Sequence, residues 1–171
     1  MKAQLTLEFM VSFIIFILFI VFIYSQFSSN IPYFIEEIEK ENKRSKAYQI
    51  SELLLNDPGE PANWDNPSLT KRIGLSYHKT NQTNLLFSQK IISLNSYCNS
   101  NYLEFKRRFG VEENFTIKFN QIDNDGTRNT LLFCKPPQFE TTQVNATFKR
   151  ITSYYDSSDD RIKLGELIVE V

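Results

Sequence analysis

Three groups of residues have types and spacings that could do chemistry. The first is a lone carboxylate. Glu8 stands inside the start of a run, Leu5 to Tyr24, that is otherwise almost wholly apolar. A carboxylate in hydrocarbon costs kilocalories unless a cation meets it, and such residues usually mark function. The chemistry on offer is ion pairing in a low dielectric. The second group is a pair of thiols, Cys98 and Cys134, the only cysteines in the chain. Two thiols do not complete a four-ligand zinc site, and His78 is the single histidine. They leave one disulfide or two free thiols, with Cys98 read as a loop residue and Cys134 as a strand residue. The third group is three sequons, Asn81-Gln-Thr, Asn114-Phe-Thr and Asn145-Ala-Thr, whose amides are acceptors for glycan. Asn81 lies in the most polar loop, and the other two begin strands.

Other combinations read more plainly. "DNDG" at Asp123 to Gly126 has the flavour of a calcium loop, but Gln121 breaks the alternation of carboxylates. It reads as a hairpin turn. "DSSDD" at Asp156 to Asp160 is an acidic turn. There is no G-x-S-x-G, no phosphate loop and no persuasive Cys/His nucleophile pair. The chain is therefore expected to be no enzyme and to need no cofactor or metal. The net charge of −1 and pI near 5.9 give no sign of a nucleic-acid partner.

The element that positions Glu8 is the apolar run itself. Twenty residues in a helix span roughly 30 Å, about one hydrocarbon thickness. Lys2 and the N-terminal amine precede the run, and the next basic residues, from Lys40, are distant and mixed with Glu36, Glu37, Glu39 and Glu41. That asymmetry favours a cytoplasmic N-terminus and an external remainder. An external domain in turn favours the disulfide. Removal as an ordinary secretory signal is not expected, because Tyr24, Ser25, Gln26 and Phe27 offer no small-residue cleavage site.

The start of the chain, "KAQLTLEF", resembles the class III signal peptide of archaeal type IV pilin-like proteins. Counting from Gln4, Thr6 is third and Glu8 fifth, and the apolar stretch follows. The family pattern has an apolar residue at the ninth position, where this chain has Ser12. The resemblance implies a prepilin-type peptidase that reads Lys2, Ala3 and Gln4 and cuts between Ala3 and Gln4. It implies that the apolar helix stays on the mature chain, first as an anchor and then in the core of a filament of pilin subunits. The new amine on Gln4 would then meet Glu8 of a neighbour.

Beyond the apolar run, the sequence predicts an α+β protein, with one long N-terminal helix packed on a small antiparallel sheet. Residues 1–3 read as leader, 4–27 as membrane or filament-core helix, 28–56 as an amphipathic stalk helix and 57–171 as an external head. Pro32 either kinks one long helix or begins a second. Ala47, Ile50, Leu53 and Leu54 form the stripe that should face the head. "NDPGEPANWDNPSLTKRIGL" is an irregular connection that Trp64 and Ile73-Gly74-Leu75 pin to the core, and it resembles a segment of archaeal secreted pilin-like proteins. A helix is expected at Tyr102 to Arg108 with Gly110 behind it. "NFTIKFNQI", "TLLFC", "VNATFKRITSYY" and "RIKLGELIVEV" read as four strands in two hairpins. A pilin-like subunit is the leading reading. The alternatives are a membrane-anchored binding domain that does not polymerise and a membrane-tethered enzyme.

Overall fold

A computed structural model describes residues 2–78, 84–123, 125–137 and 146–171, with side chains described from Glu8 onward. The chain forms two compact units, Met1–Glu39 and Lys40–Val171. Helix α1, Lys2–Asn56, runs through both and contains Pro32. Of the two expected arrangements, the chain takes the single helix. Pro32 has no N–H, so the Ser28 carbonyl lacks its usual donor one turn on. Around it, Ser29 Oγ donates to the Ser25 carbonyl and Asn30 Nδ2 to the Gln26 carbonyl, each at 2.9 Å. From Glu8 to Glu39 every side chain is exposed, although Phe9 to Tyr24 is apolar apart from Ser12.

In the second unit the stripe on α1 is Ala47, Ile50, Leu54 and Leu55, all buried, with Leu53 only half-buried. The expected stripe is thus shifted by one residue at its end, and Ser51 shares the buried face. β1 (Leu85–Phe87) leads directly into α2 (Ser88–Ser100), then α3 (Tyr102–Arg108), β2 (Thr116–Ile122), β3 (Arg128–Cys134), β4 (Thr147–Asp156) and β5 (Arg161–Glu170). The fold is α+β. The four expected strands are present in two antiparallel hairpins joined through β2 and β5. β1 makes a fifth and pairs parallel to β4, so the sheet is mixed, in the order β1-β4-β5-β2-β3. The sheet's far edge is continued by the incoming chain. Tyr77 N donates to Leu85 O at 2.7 Å, and Phe87 N donates to Leu75 O at 3.0 Å. Leu75 N then donates to Leu54 O and Ser76 N to Asp57 O, at 2.9 and 3.1 Å, which ties that edge to the end of α1.

One face of the sheet carries the core: Ile117, Phe119, Leu132, Cys134, Tyr154, Leu167 and Val169 are all fully buried. The helices lie on this face. Tyr48 of α1 meets Phe148 edge-on at 5.3 Å, Glu52 pairs with Arg150, and Phe105 and Tyr102 of α3 pack on Phe115. Among the described residues no helix covers the other face, where Ile151, Ile162 and Leu164 are 75%, 59% and 54% exposed.

Candidate functional site

The residues expected to carry function fall in separate places. Lys2, Ala3 and Gln4 lie in the first turn of α1, and their side chains are outside the described residues. Glu8 is one turn beyond Gln4 and is exposed, as are the apolar residues that follow. Among the described residues one helix is long and apolar enough to cross a membrane, and it is this one. Among the described side chains of its unit, none pairs with Glu8, and Phe9 to Tyr24 stay uncovered.

Cys98 and Cys134 lie at disulfide distance, with Cα atoms 5.7 Å apart across a separation of 36 residues. Cys134 ends β3 as expected, but Cys98 is in helix α2 and not in a loop. The helix escapes sequence reading because "SQKIISLNSYCNS" is rich in Ser and Asn, which favour turns and caps. Its buried stripe, Ile91, Leu94 and Cys98, spans only two turns. A bridge closing a loop of this size contributes about 3–4 kcal/mol in the chain-entropy account. It fastens α2 to the edge strand, where Asn95 Oδ1 also accepts from Phe133 N at 3.0 Å.

Of the three sequons, Asn81 and Asn145 lie outside the described residues. Asn114 is exposed, and its Oδ1 accepts from Lys106 Nζ at 3.1 Å. The rest of its sequon, Phe115 and Thr116, is buried. A transferase needing the whole tripeptide reaches it only before the head folds.

A buried cation escapes sequence reading altogether. Lys90 of α2 is 1% exposed, and its Nζ donates to the carbonyls of Pro58, Ala62 and Ser76 at 2.7, 2.7 and 3.0 Å. It also sits 5.6 Å over the Trp64 ring. Burial pushes its ammonium down to about 8, against the pull of Asp57. Arg108 of α3 does the same further along, donating to the carbonyls of Pro67 at 2.8 Å, Ser68 at 2.9 Å, and Thr70. Two cations thus hold the irregular connection by its backbone. Trp64 completes the attachment, donating to Gly74 O at 2.9 Å. A side chain at Gly74 would fall 2.0 Å from Asp57 O, and one at Gly59, with φ of +83°, would strike Trp64 at 2.5 Å. The Pro-Gly-x-Pro-x-x-Trp and Ile-Gly-Leu patterns are therefore the parts of one buckle. A lysine reads as solvated in sequence, and no local signal marked this one.

The two acidic turns are satisfied by the protein's own donors. Asp123 accepts from Asn129 Nδ2 at 2.7 Å and from Gln121, and Tyr155 OH donates to Asp160. Lys163 Nζ lies 2.7 Å from Asp156 and 2.8 Å from Asp159. Among the described residues, no group of three or more His, Cys, Asp or Glu is placed to hold a metal. The Lys163 hydrogen bond holds the Asp156 carboxyl down to about 2, well below its ordinary 3.8. A lowered folded pKa means stability that is present above pH 3.8 and lost as the pH falls towards 2. The loss expected from this group is about 2 kcal/mol. Denaturant midpoints at pH 6 and pH 2.5 check it: Asp156→Asn should flatten that part of the decline, and an unchanged slope refutes the assignment.

No family model, curated protein or solved structure matches this chain. The geometry therefore carries the functional reading. An apolar helix fit to cross a membrane leads, through α1, to a folded α+β head.

Proposed function

We propose that this chain is a pilin-like structural subunit, anchored by α1 and then assembled into a surface filament. The observation that carries the reading is the Gln4–Glu8 spacing at the head of an apolar helix whose whole circumference is exposed. A plain anchor explains the apolar surface, since lipid covers it equally well. It gives no use for a carboxylate at the start of the apolar stretch. In an assembly, the helices of neighbouring subunits replace lipid around Phe9 to Tyr24. Cleavage before Gln4 supplies a cation where Glu8 needs one. Lys2, Ala3 and Gln4 are the residues a prepilin-type peptidase would read, and other pilin subunits are the partners. The head stays outside the membrane, where an oxidising environment suits the Cys98–Cys134 pair.

Mass spectrometry of the native protein tests this directly. The expected result is a mature chain beginning at Gln4, present in both membranes and sheared surface filaments. A chain retaining Met1 to Ala3 and confined to membranes would support the second reading, a membrane-anchored binding domain that does not polymerise.

A further inference from the structure

We infer that two copies of this chain pair through α1 in the membrane, parallel and in register, along one seam that continues beyond the hydrocarbon. The pair goes beyond the filament reading, since it needs α1 as an anchor and nothing else. Tyr24, Phe27, Ile31, Phe34 and Ile38 recur at alternating steps of three and four residues. All five are between 45% and 73% exposed. A period of this kind keeps one seam turned towards a partner helix. The same steps run back through Ile20, Ile17, Phe13 and Met10. In that part lipid covers any apolar face equally well, so the period selects nothing. Beyond Tyr24 it does. Leu5 to Tyr24 already fills one hydrocarbon thickness. Ile38 lies 14 residues further, about 21 Å along the helix. Off the seam this stretch is mostly polar, with Gln26, Ser29, Asn30, Glu36 and Glu37, so it does not sink into lipid. Pro32 also falls off the seam. The seam itself meets water unless a protein covers it.

A groove of about 350 Å³ on α1 lies on the same seam, lined by Ile20, Ile23, Tyr24, Phe27, Ser28 and Ile31. These residues form two overlapping sets of four, 20-23-24-27 and 24-27-28-31. Each set has the i, i+3, i+4, i+7 spacing of a hole that receives one side chain of a facing helix. A second copy of the chain supplies both knobs. The apolar run sets every copy at one depth and one orientation, so a neighbour's Tyr24 and Phe27 arrive at the height of these two holes. The charges agree. Where two parallel helices bring flanking positions together above the groove, Asn30 faces Ile35 and Glu37 faces Asn42, so no like charges meet. Glu36, Glu39, Lys40 and Lys43 fall on the outward side, and Glu41 takes the next seam position and ends the seam. An in-register pair is two-fold and closes on itself, whereas a helical filament offsets each subunit along its axis from the next. The pair is therefore a separate contact, made before assembly.

Disulfide cross-linking of full-length chains in membranes tests the pair, with the fully buried Cys98–Cys134 bridge retained. Ile31→Cys and Phe34→Cys put a thiol on the seam, and Ser29→Cys and Glu36→Cys put one on the outward side. Mild oxidation should give dimers at the seam positions at least about fivefold above the outward ones. Equal yields at all four positions overturn the inference, as does the absence of dimers. A mixture of Phe27→Cys and Ile31→Cys chains carrying different tags fixes the register. Dimers joining like positions should outnumber those joining unlike ones, and the reverse would mean neighbours staggered by a turn, which also overturns the in-register pair. Glu8→Ala, which the assembly reading keeps out of filaments, should leave the Ile31→Cys dimers in membranes at their full yield. Their loss would make the contact part of the filament and count against a separate pair. Seam dimers in membranes with no chain in sheared material would uphold the pair and sink the filament instead.

Discussion

Glu8→Ala should reach the membrane at the wild-type level and disappear from sheared filaments, with recovery down at least about tenfold. The two halves of this result separate anchoring from assembly. Insertion depends on the apolar run, and replacing a carboxylate by a methyl only makes α1 more apolar. Cleavage should persist, because Lys2, Ala3 and Gln4 are untouched. Assembly is different. The Gln4 amine and Glu8 would both sit among packed apolar helices, and an unpaired charge there costs several kcal/mol. Paired between neighbours, the two charges also set the axial register, because a slip by one subunit leaves both unmet. The comparison is Glu8→Ala beside wild type, in membrane and sheared fractions. Equal recovery in filaments would sink the pairing role.

Lys90→Met should lower the stability of the head by about 2–4 kcal/mol. Methionine keeps the length and apolar stem of lysine but donates nothing. The carbonyls of Pro58, Ala62 and Ser76 would lose their shared donor. Relief from holding a charge away from water offsets part of the loss. Against a typical total of about 5–15 kcal/mol this is a large fraction. The pH dependence gives a second readout. The folded-state value of about 8 lies below the ordinary 10.5, so the folded head binds this proton less tightly than the unfolded chain does. The cost of the charged form is therefore present in full below pH 8 and is relieved as the pH rises towards 10.5. Lys90→Met should lose that upward trend. Thermal melts at pH 7 and 9.5 measure both effects. A variant melting within about 3 °C of wild type at pH 7 would show that the carbonyl cradle does not fasten the connection.

Much of the fold was legible because the signals were local. Phe115, Ile117 and Phe119 alternate at the strand period and are all buried. The Asp-Gly turn and the acidic turn separate strands of matched length, and Tyr102–Arg108 is bounded as its sequence predicts. What escaped was decided by tertiary contact. β1 is three residues long and owes its existence to β4 on one side and Leu75 to Tyr77 on the other. α2 is built from poor helix formers held by Ile91, Leu94 and Cys98. Lys90 takes its role from three carbonyls 14 to 32 residues away in sequence. Of the candidate functional residues, the type and spacing of Glu8 were readable because they belong to one helical turn.

The bonds between Leu54 and Leu75, and between Asp57 and Ser76, have a mechanical consequence for a head held at the end of α1. Tension arriving along the helix reaches the sheet through the buried α1 stripe, the Glu52–Arg150 pair and those two bonds. The covalent route, residues 57–74, is short-circuited and carries slack under Lys90 and Arg108. Once α1 is pulled from its packing and the Lys90 and Arg108 bonds part, residues 57–74 should extend by up to about 60 Å before the sheet yields. The connection would then act as a shock absorber, lengthening the tether while the sheet, with α2 fastened to it by the disulfide, stays folded.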